Sequence, residues 1–201
     1  MTQHMPAKSK TIIISCISVL AAGIGSGAAA SDGLLASAVV TRQVTETGSR
    51  IAWGHAEAEL AQPLEAILPI VEDYARYEEF MPNFRRSRLL AQRGTRARVY
   101  MEVSAAAGAL TLWGQLDLRE WADGETDARI IEAQLLEGNI DVFRAEWRLE
   151  PTADGSHTRV SFTILVDPDL PLPASLISRE NERAARRSIE ALRGHLERKL
   201  P

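Results

Sequence analysis

The chain has 201 residues, 45% of them hydrophobic and 25% charged, with a formal net charge of −4. That balance is that of a globular protein with a real core. It argues against a general nucleic-acid binder while leaving room for a local basic patch. Cys16 is the only cysteine, so everything after it lacks a disulfide, a thiolate nucleophile and a cysteine metal site.

Lys8 and Lys10 precede an apolar run from Ile12 to Ile24, and small residues follow to Ala30. A basic end, a greasy centre and a small-residue stop predict a secretion signal over residues 1–30, cleaved after Ala28-x-Ala30. The alternative is an uncleaved anchor, for which the run is short and poor in large apolar residues. The predicted location is periplasmic or secreted, with residues 31–201 forming a single domain.

From Ala36 to Glu46 and from Ile51 to Leu60 the pattern suits two strands, separated by Thr47-Gly48-Ser49 turn chemistry. Gly54 is read as a place to bend. At Pro63 the period changes. Leu64, Ile67, Leu68 and Val71 form a short helical stripe, in which Pro69 predicts a kink or an early end. A second short helix is predicted from Tyr74 to Phe80, stopped by Met81-Pro82-Asn83.

From residue 85 to 166 the period is near two. Strands are predicted over 85–92, 96–105, 110–121, 128–136, 141–149 and 158–166, with turn signals at Arg93-Gly94, Asp123-Gly124, Gly138-Asn139 and Asp154-Gly155. Ala106-Ala107-Gly108 is a weaker break. Within the second of these strands Ala97, Val99, Met101 and Val103 share one side, and Arg98, Tyr100, Glu102 and Ser104 the other. Trp113 falls out of phase with Leu110, Leu112, Leu116 and Leu118, which leaves its facing open. The proline-rich stretch from Asp167 to Pro173 leads into the longest helical signal, Pro173 to Leu200. There Ile177, Ala184, Ala185, Ile189, Leu192, Leu196 and Leu200 recur at helical spacing. Segregated helices and a meandering antiparallel sheet predict an α+β fold, a curved sheet wrapped around the long C-terminal helix.

Local wording extends that reading. The Pro63-led helix, the Asp73-Tyr74 pair and the Phe80-Met81-Pro82 stop, followed by Trp147-Arg148-Leu149-Glu150-Pro151, Gly155 and Thr158-Arg159-Val160, then Asp167-Pro168 and Leu172-Pro173, resemble the helix-grip fold of the START-like superfamily. The nearest resemblance is to its polyketide cyclase/dehydrase and lipid-transport group, which includes coenzyme-Q-binding START-domain proteins. The resemblance spans about residues 50–199. It implies a hydrophobic ligand held between the sheet and the C-terminal helix. The predicted leader departs from the cytoplasmic or mitochondrial setting of such relatives.

Aromatic and apolar residues spread over the sheet strands are the candidate ligand contacts: Tyr100, Met101, Trp113, Phe143, Trp147 and Phe162. Ile177 and Asn181 join them from the helix, Asn181 as a candidate partner for a ligand's polar head. His55, His157 and His195 lack metal-ligand spacing. Glu57 and Glu59 share a strand side, where paired carboxylates can do acid–base work if buried, but the safer reading of that side, His55 included, is solvated. No phosphate loop, nucleophile elbow or zinc-protease helix is present. The expected function is therefore noncatalytic binding or transport of a lipid, quinone or polyketide-like molecule. No catalytic residue, metal ligand or cofactor is assigned. The expected partners are the small hydrophobic ligand and, transiently, a membrane, with no nucleic acid. A cyclase- or hydrolase-like enzyme using the same cavity, and a ligand-free structural or interaction module, are the alternatives.

Overall fold

A computed structural model describes residues 38–105, 108–168 and 170–199. The predicted leader with Cys16, the first residues of the opening strand, Ala106-Ala107, Asp169, Leu200 and Pro201 lie outside these. Eight antiparallel strands run β1 (Val40–Val44), β2 (Trp53–Leu60), β3 (Phe84–Arg93), β4 (Arg96–Ala105), β5 (Leu110–Ala122), β6 (Arg129–Gly138), β7 (Val142–Pro151) and β8 (Thr158–Asp167). They form one curved sheet in the order β1-β2-β8-β7-β6-β5-β4-β3. Helix α1 (Leu64–Glu72), a 3-10 turn (Tyr74–Arg76) and α2 (Tyr77–Phe80) connect β2 to β3, which lies at the far edge of the sheet, and α3 (Ala174–Lys199) closes the chain.

The helical stripe read from the sequence is the buried face of α3: Ala185, Ile189, Leu192 and Leu196 are wholly inaccessible. They pack on the inner face of β2 and β8, where Ala56, Ala58, Val160 and Phe162 alternate inward. Each fully buried Leu or Ile contributes roughly 1.5–3 kcal/mol, so this seam is a major share of the core. Helix α1 continues through Pro69 to Glu72 rather than ending there, burying Ile67 and Val71.

Gly54 does not serve as a bend. A Cβ on Gly54 would lie 2.0 Å from the backbone oxygen of Asn181, so the missing side chain is what lets α3 cross β2 at backbone contact. Beside that crossing Ser178 Oγ accepts from the Ala52 amide at 2.9 Å and donates to the Ala174 carbonyl at 2.8 Å. The helix is thereby tied to the segment before β2 by side-chain bonds as well as by apolar packing.

Candidate functional site

Beside that seam a cavity of about 860 Å³ opens between α3 and strands β4 to β8. Its floor is the inner face of β4 to β8: Met101, Leu116, Leu118, Ile131, Ala133, Ala145, Trp147, Phe162 and Ile164. The strand alternation puts these side chains there, because Met101 pairs with Gly114, Ala133 with Ala145 and Trp147 with Phe162, and directly opposed residues share a face. Small residues at Gly114, Ala133 and Ala145 leave the volume that larger ones would fill. Trp147 and Phe162 lie with ring centroids 4.2 Å apart as a flat aromatic floor. The helix supplies Ile177, Asn181, Ala184 and Ser188, and the turn around α2 supplies Tyr74, Tyr77, Met81 and Phe84. Solvent-exposed lining residues mark the mouth: Asn83, Gly108, Leu170, Leu172, Glu180 and Arg187.

Polar groups on the wall are few and mostly engaged. The Tyr77 hydroxyl donates to the Val71 carbonyl at 2.6 Å and meets the Trp147 side chain. Burial drives its pKa well up. Burial also pushes Tyr74 up to about 12, with the nearby Glu72 carboxylate adding to the effect. Both phenols thus stay neutral at physiological pH, as hydrogen-bonding groups and not bases. Asn181 is buried, and its amide is occupied: Nδ2 donates to the carbonyls of Ala52 at 3.2 Å and Val166 at 3.4 Å, and Oδ1 accepts from the Val166 amide at 3.2 Å. Its polar atoms complete the sheet backbone where helix and strands meet, so the expected role as partner for a ligand's head group is corrected to a structural one.

Of the eight expected contacts, Met101, Phe143, Trp147, Phe162, Ile177 and Asn181 line the cavity with Trp113 beside them. Tyr100 does not line it. Tyr100 opposes Gln115 on the outer face of the sheet and donates its hydroxyl to Glu102 Oε1 at 2.6 Å. Trp113 opposes Glu102, and its ring lies 6.1 Å from that of Tyr100. Its indole therefore shares the outer face, although the residue borders the cavity. The sequence reading missed the small residues Gly114, Ala133 and Ala145, and Arg187 at the mouth. Small residues at inward strand positions were the available signal.

The groups weighed for acid–base chemistry lie elsewhere. His55, Glu57 and Glu59 alternate on the outer face, with His55 Nδ1 2.9 Å from Thr163 Oγ1 and Nε2 3.7 Å from Glu57. His55 is not solvated as expected but only 8% exposed, because β1 and β8 flank it with Arg42 and Thr163. His195 is buried on α3 against Phe80, ring centroids 4.6 Å apart, and His157 sits in the β7–β8 turn beside Ser156. None of the three lines the cavity. Among the described residues no cluster of His, Cys, Asp or Glu is arranged to hold a metal ion, and no helix is long and apolar enough to cross a membrane.

A curved antiparallel sheet gripping a C-terminal helix over an apolar cavity, with short helices after the second strand, is the helix-grip fold of START-like proteins. The chain belongs to the polyketide cyclase/dehydrase and lipid transport family, whose pattern it matches over residues 60–193. A STAR-related lipid transfer protein from Xanthomonas axonopodis superposes with a TM-score of 0.69 at 19% identity, over 79% of this chain and 93% of that one. Human StAR-related lipid transfer protein 5 gives 0.67 at 12% identity, over 80% and 82%. The Zhui aromatase/cyclase from Streptomyces sp. R1128 gives 0.53 at 17% identity, over 74% and 95%. At these identities the likeness is one of fold. No curated protein matches.

Proposed function

We propose that the protein binds or carries a small lipophilic molecule, without chemistry, in the cavity between sheet and α3. The observation that carries this reading is the cavity itself: about 860 Å³, within the range of small-molecule sites, walled by apolar and aromatic side chains and reached through a mouth with exposed leucines. Family membership and lipid-transfer neighbours of the same fold support it. Met101, Phe143, Trp147, Phe162 and Ile177 are the proposed contacts, holding the guest by apolar burial. The noncatalytic part rests on where the titratable groups lie: the inner wall carries neutral phenols, Glu180 and Arg187 stand at the exposed mouth, and His55 and the Glu57–Glu59 pair face away from it. We further propose, from the leader pattern over residues 1–30, that this carrier works in the periplasm or outside the cell; a purified chain shortened by about 30 residues is the expected mass, and a full-length chain would overturn it.

Native mass spectrometry of protein purified from its own cell envelope, followed by organic extraction, tests the reading. The expected result is a stoichiometric lipophilic adduct recovered unchanged. A bare protein that also fails to take up any lipid, quinone or aromatic polyketide would overturn the proposal. Recovery of a converted molecule would assign the cavity to catalysis, as in the cyclase alternative.

A further inference from the structure

From Arg85 to Arg98 the chain carries six arginines and no acidic residue, although the whole protein is net negative. The fold concentrates this charge on one surface. Arg86, Arg88, Arg93, Arg96 and Arg98 occupy outward positions of the β3–β4 hairpin, and Arg119 joins them from β5 opposite Arg96. Only Glu102 and Asp117 answer them on this patch: Arg86 pairs with Glu102 at 3.2 Å, and Arg96 and Arg119 share Asp117. Arg88, Arg93 and Arg98 are exposed and make no ion pair among the described residues. The rest of the outer face, across β2, β6, β7 and β8, sets Glu57, Glu59, Glu132, Glu146 and Glu150 among Arg144, Arg148 and Arg159. The sheet is thus polarised, basic toward its β3 edge.

Apolar and interfacial side chains are interleaved with these arginines. Leu90, at the bulge of the edge strand, is 48% exposed, and Trp121 on the outer face of β5 is 41% exposed, whereas Leu89 opposes Val99 and lies on the inner side. Tyr100 and Trp113, which the aromatic pattern had assigned to the cavity, stand on this same face. We infer that the outer face of β3–β5 docks on an anionic lipid bilayer. Guanidinium groups attract the negative surface within about a Debye length, roughly 8 Å. Trp and Tyr seat at the headgroup level, and exposed Leu90 gains by entering the acyl boundary. A nucleic acid would match the arginines but would leave Leu90 without an apolar partner. The acidic remainder of the face is repelled by the same bilayer, which fixes the orientation. This docking does not depend on what the cavity holds.

The test is flotation of the full chain with vesicles of phosphatidylglycerol in phosphatidylcholine, against pure phosphatidylcholine vesicles. Binding is expected only to the anionic vesicles and is expected to weaken with salt. Replacing Arg88, Arg93 and Arg98 together by Ala removes three unpaired charges and is expected to lower partitioning about a hundredfold, with the thermal midpoint unchanged. Brominated acyl chains are expected to quench tryptophan fluorescence in the full chain and much less in Trp121→Phe. A cavity-filled Ala145→Phe variant is expected to float as the full chain does, which separates this surface from the binding site. Equal binding to neutral vesicles, or undiminished binding by the triple variant, would overturn the inference, since the leader or the cavity mouth would then be the attachment. So would a single-stranded oligonucleotide that displaces the protein from vesicles and itself loses affinity for the triple variant.

Discussion

Gly54 and Asn181, 127 positions apart in the chain, meet backbone to backbone: a methyl group on Gly54 would sit 2.0 Å from the Asn181 carbonyl oxygen. The neighbours of that contact, the Ser178 and Asn181 side chains, satisfy backbone groups of Ala52 and Val166. Glycine in β2 and a polar pair in α3 therefore act as one joint. Gly54→Ala must push the helix off the sheet or distort the strand. A loss of about 1–3 kcal/mol in unfolding free energy is expected, read by denaturant titration. A variant as stable as the parent would show that the helix can rise without penalty.

Asn181→Leu fills the same space but leaves the Ala52 carbonyl and the Val166 amide without their side-chain partner. The expected cost is about 1–3 kcal/mol. Affinity for a bound lipophile, measured by displacement of a fluorescent fatty probe, is expected to hold within about threefold once folded protein is compared. A selective loss of affinity at full stability would return Asn181 to the head-group role.

The difference between those two readings of Asn181 shows where sequence reasoning reaches its end. Alternation located the strands from 84 to 167, because one face of each is buried, and the i, i+4, i+7 spacing of Ala185, Ile189, Leu192 and Leu196 located the helix seam. Those are local signals. Gly54 and Asn181 owe their places to each other across the whole chain, and no local pattern distinguishes a glycine that bends from one that admits a helix. Tyr100 is a different lesson. Its alternation with Arg98 and Glu102 already set it outward, and only its aromatic character argued for the cavity. Side-chain type says what a site needs, whereas parity says which way a residue points. For Trp113, out of phase with its leucines, the unbroken β4–β5 pairing supplies the answer, since Trp113 opposes Glu102.

Ala145 lies at the centre of the cavity floor, opposite Ala133 and Ile164. Ala145→Phe places a ring in open volume, so the cost in stability is expected to stay below about 1 kcal/mol, less than for overpacking a filled core. Uptake of the lipophilic probe is expected to fall at least tenfold. Unchanged uptake would move the guest away from the sheet.

Acid is expected to weaken the fold through His55. Burial, then the neighbouring Arg42, lowers its pKa below the ordinary imidazole value, with Glu57 opposing. Buried His195 is lowered in the same direction by burial, Lys199 and Arg198. The unfolded chain then binds protons more readily than the native one. These contributions are complete above an ordinary histidine value of about 6.5 and are lost as pH falls through it toward the depressed native values. Glu146 works oppositely at lower pH: burial and the facing Glu132 raise its pKa, so its protonation relieves a native-state penalty. Thermal midpoints followed from about pH 7.5 to about pH 5.5 are expected to decline, and His55→Gln is expected to flatten the decline. A rise in midpoint on acidification across that range would contradict the assignment.

The joint at Gly54 also decides how the cavity can be filled. The first half of α3 is riveted to the strands beneath it by backbone contact and by the Ser178 and Asn181 bonds. Swinging that helix outward would break the joint. The way in is then the mouth already open to solvent, framed by Asn83, Gly108 and the Leu170–Leu172 stretch. The long helix is the fixed jamb of this doorway.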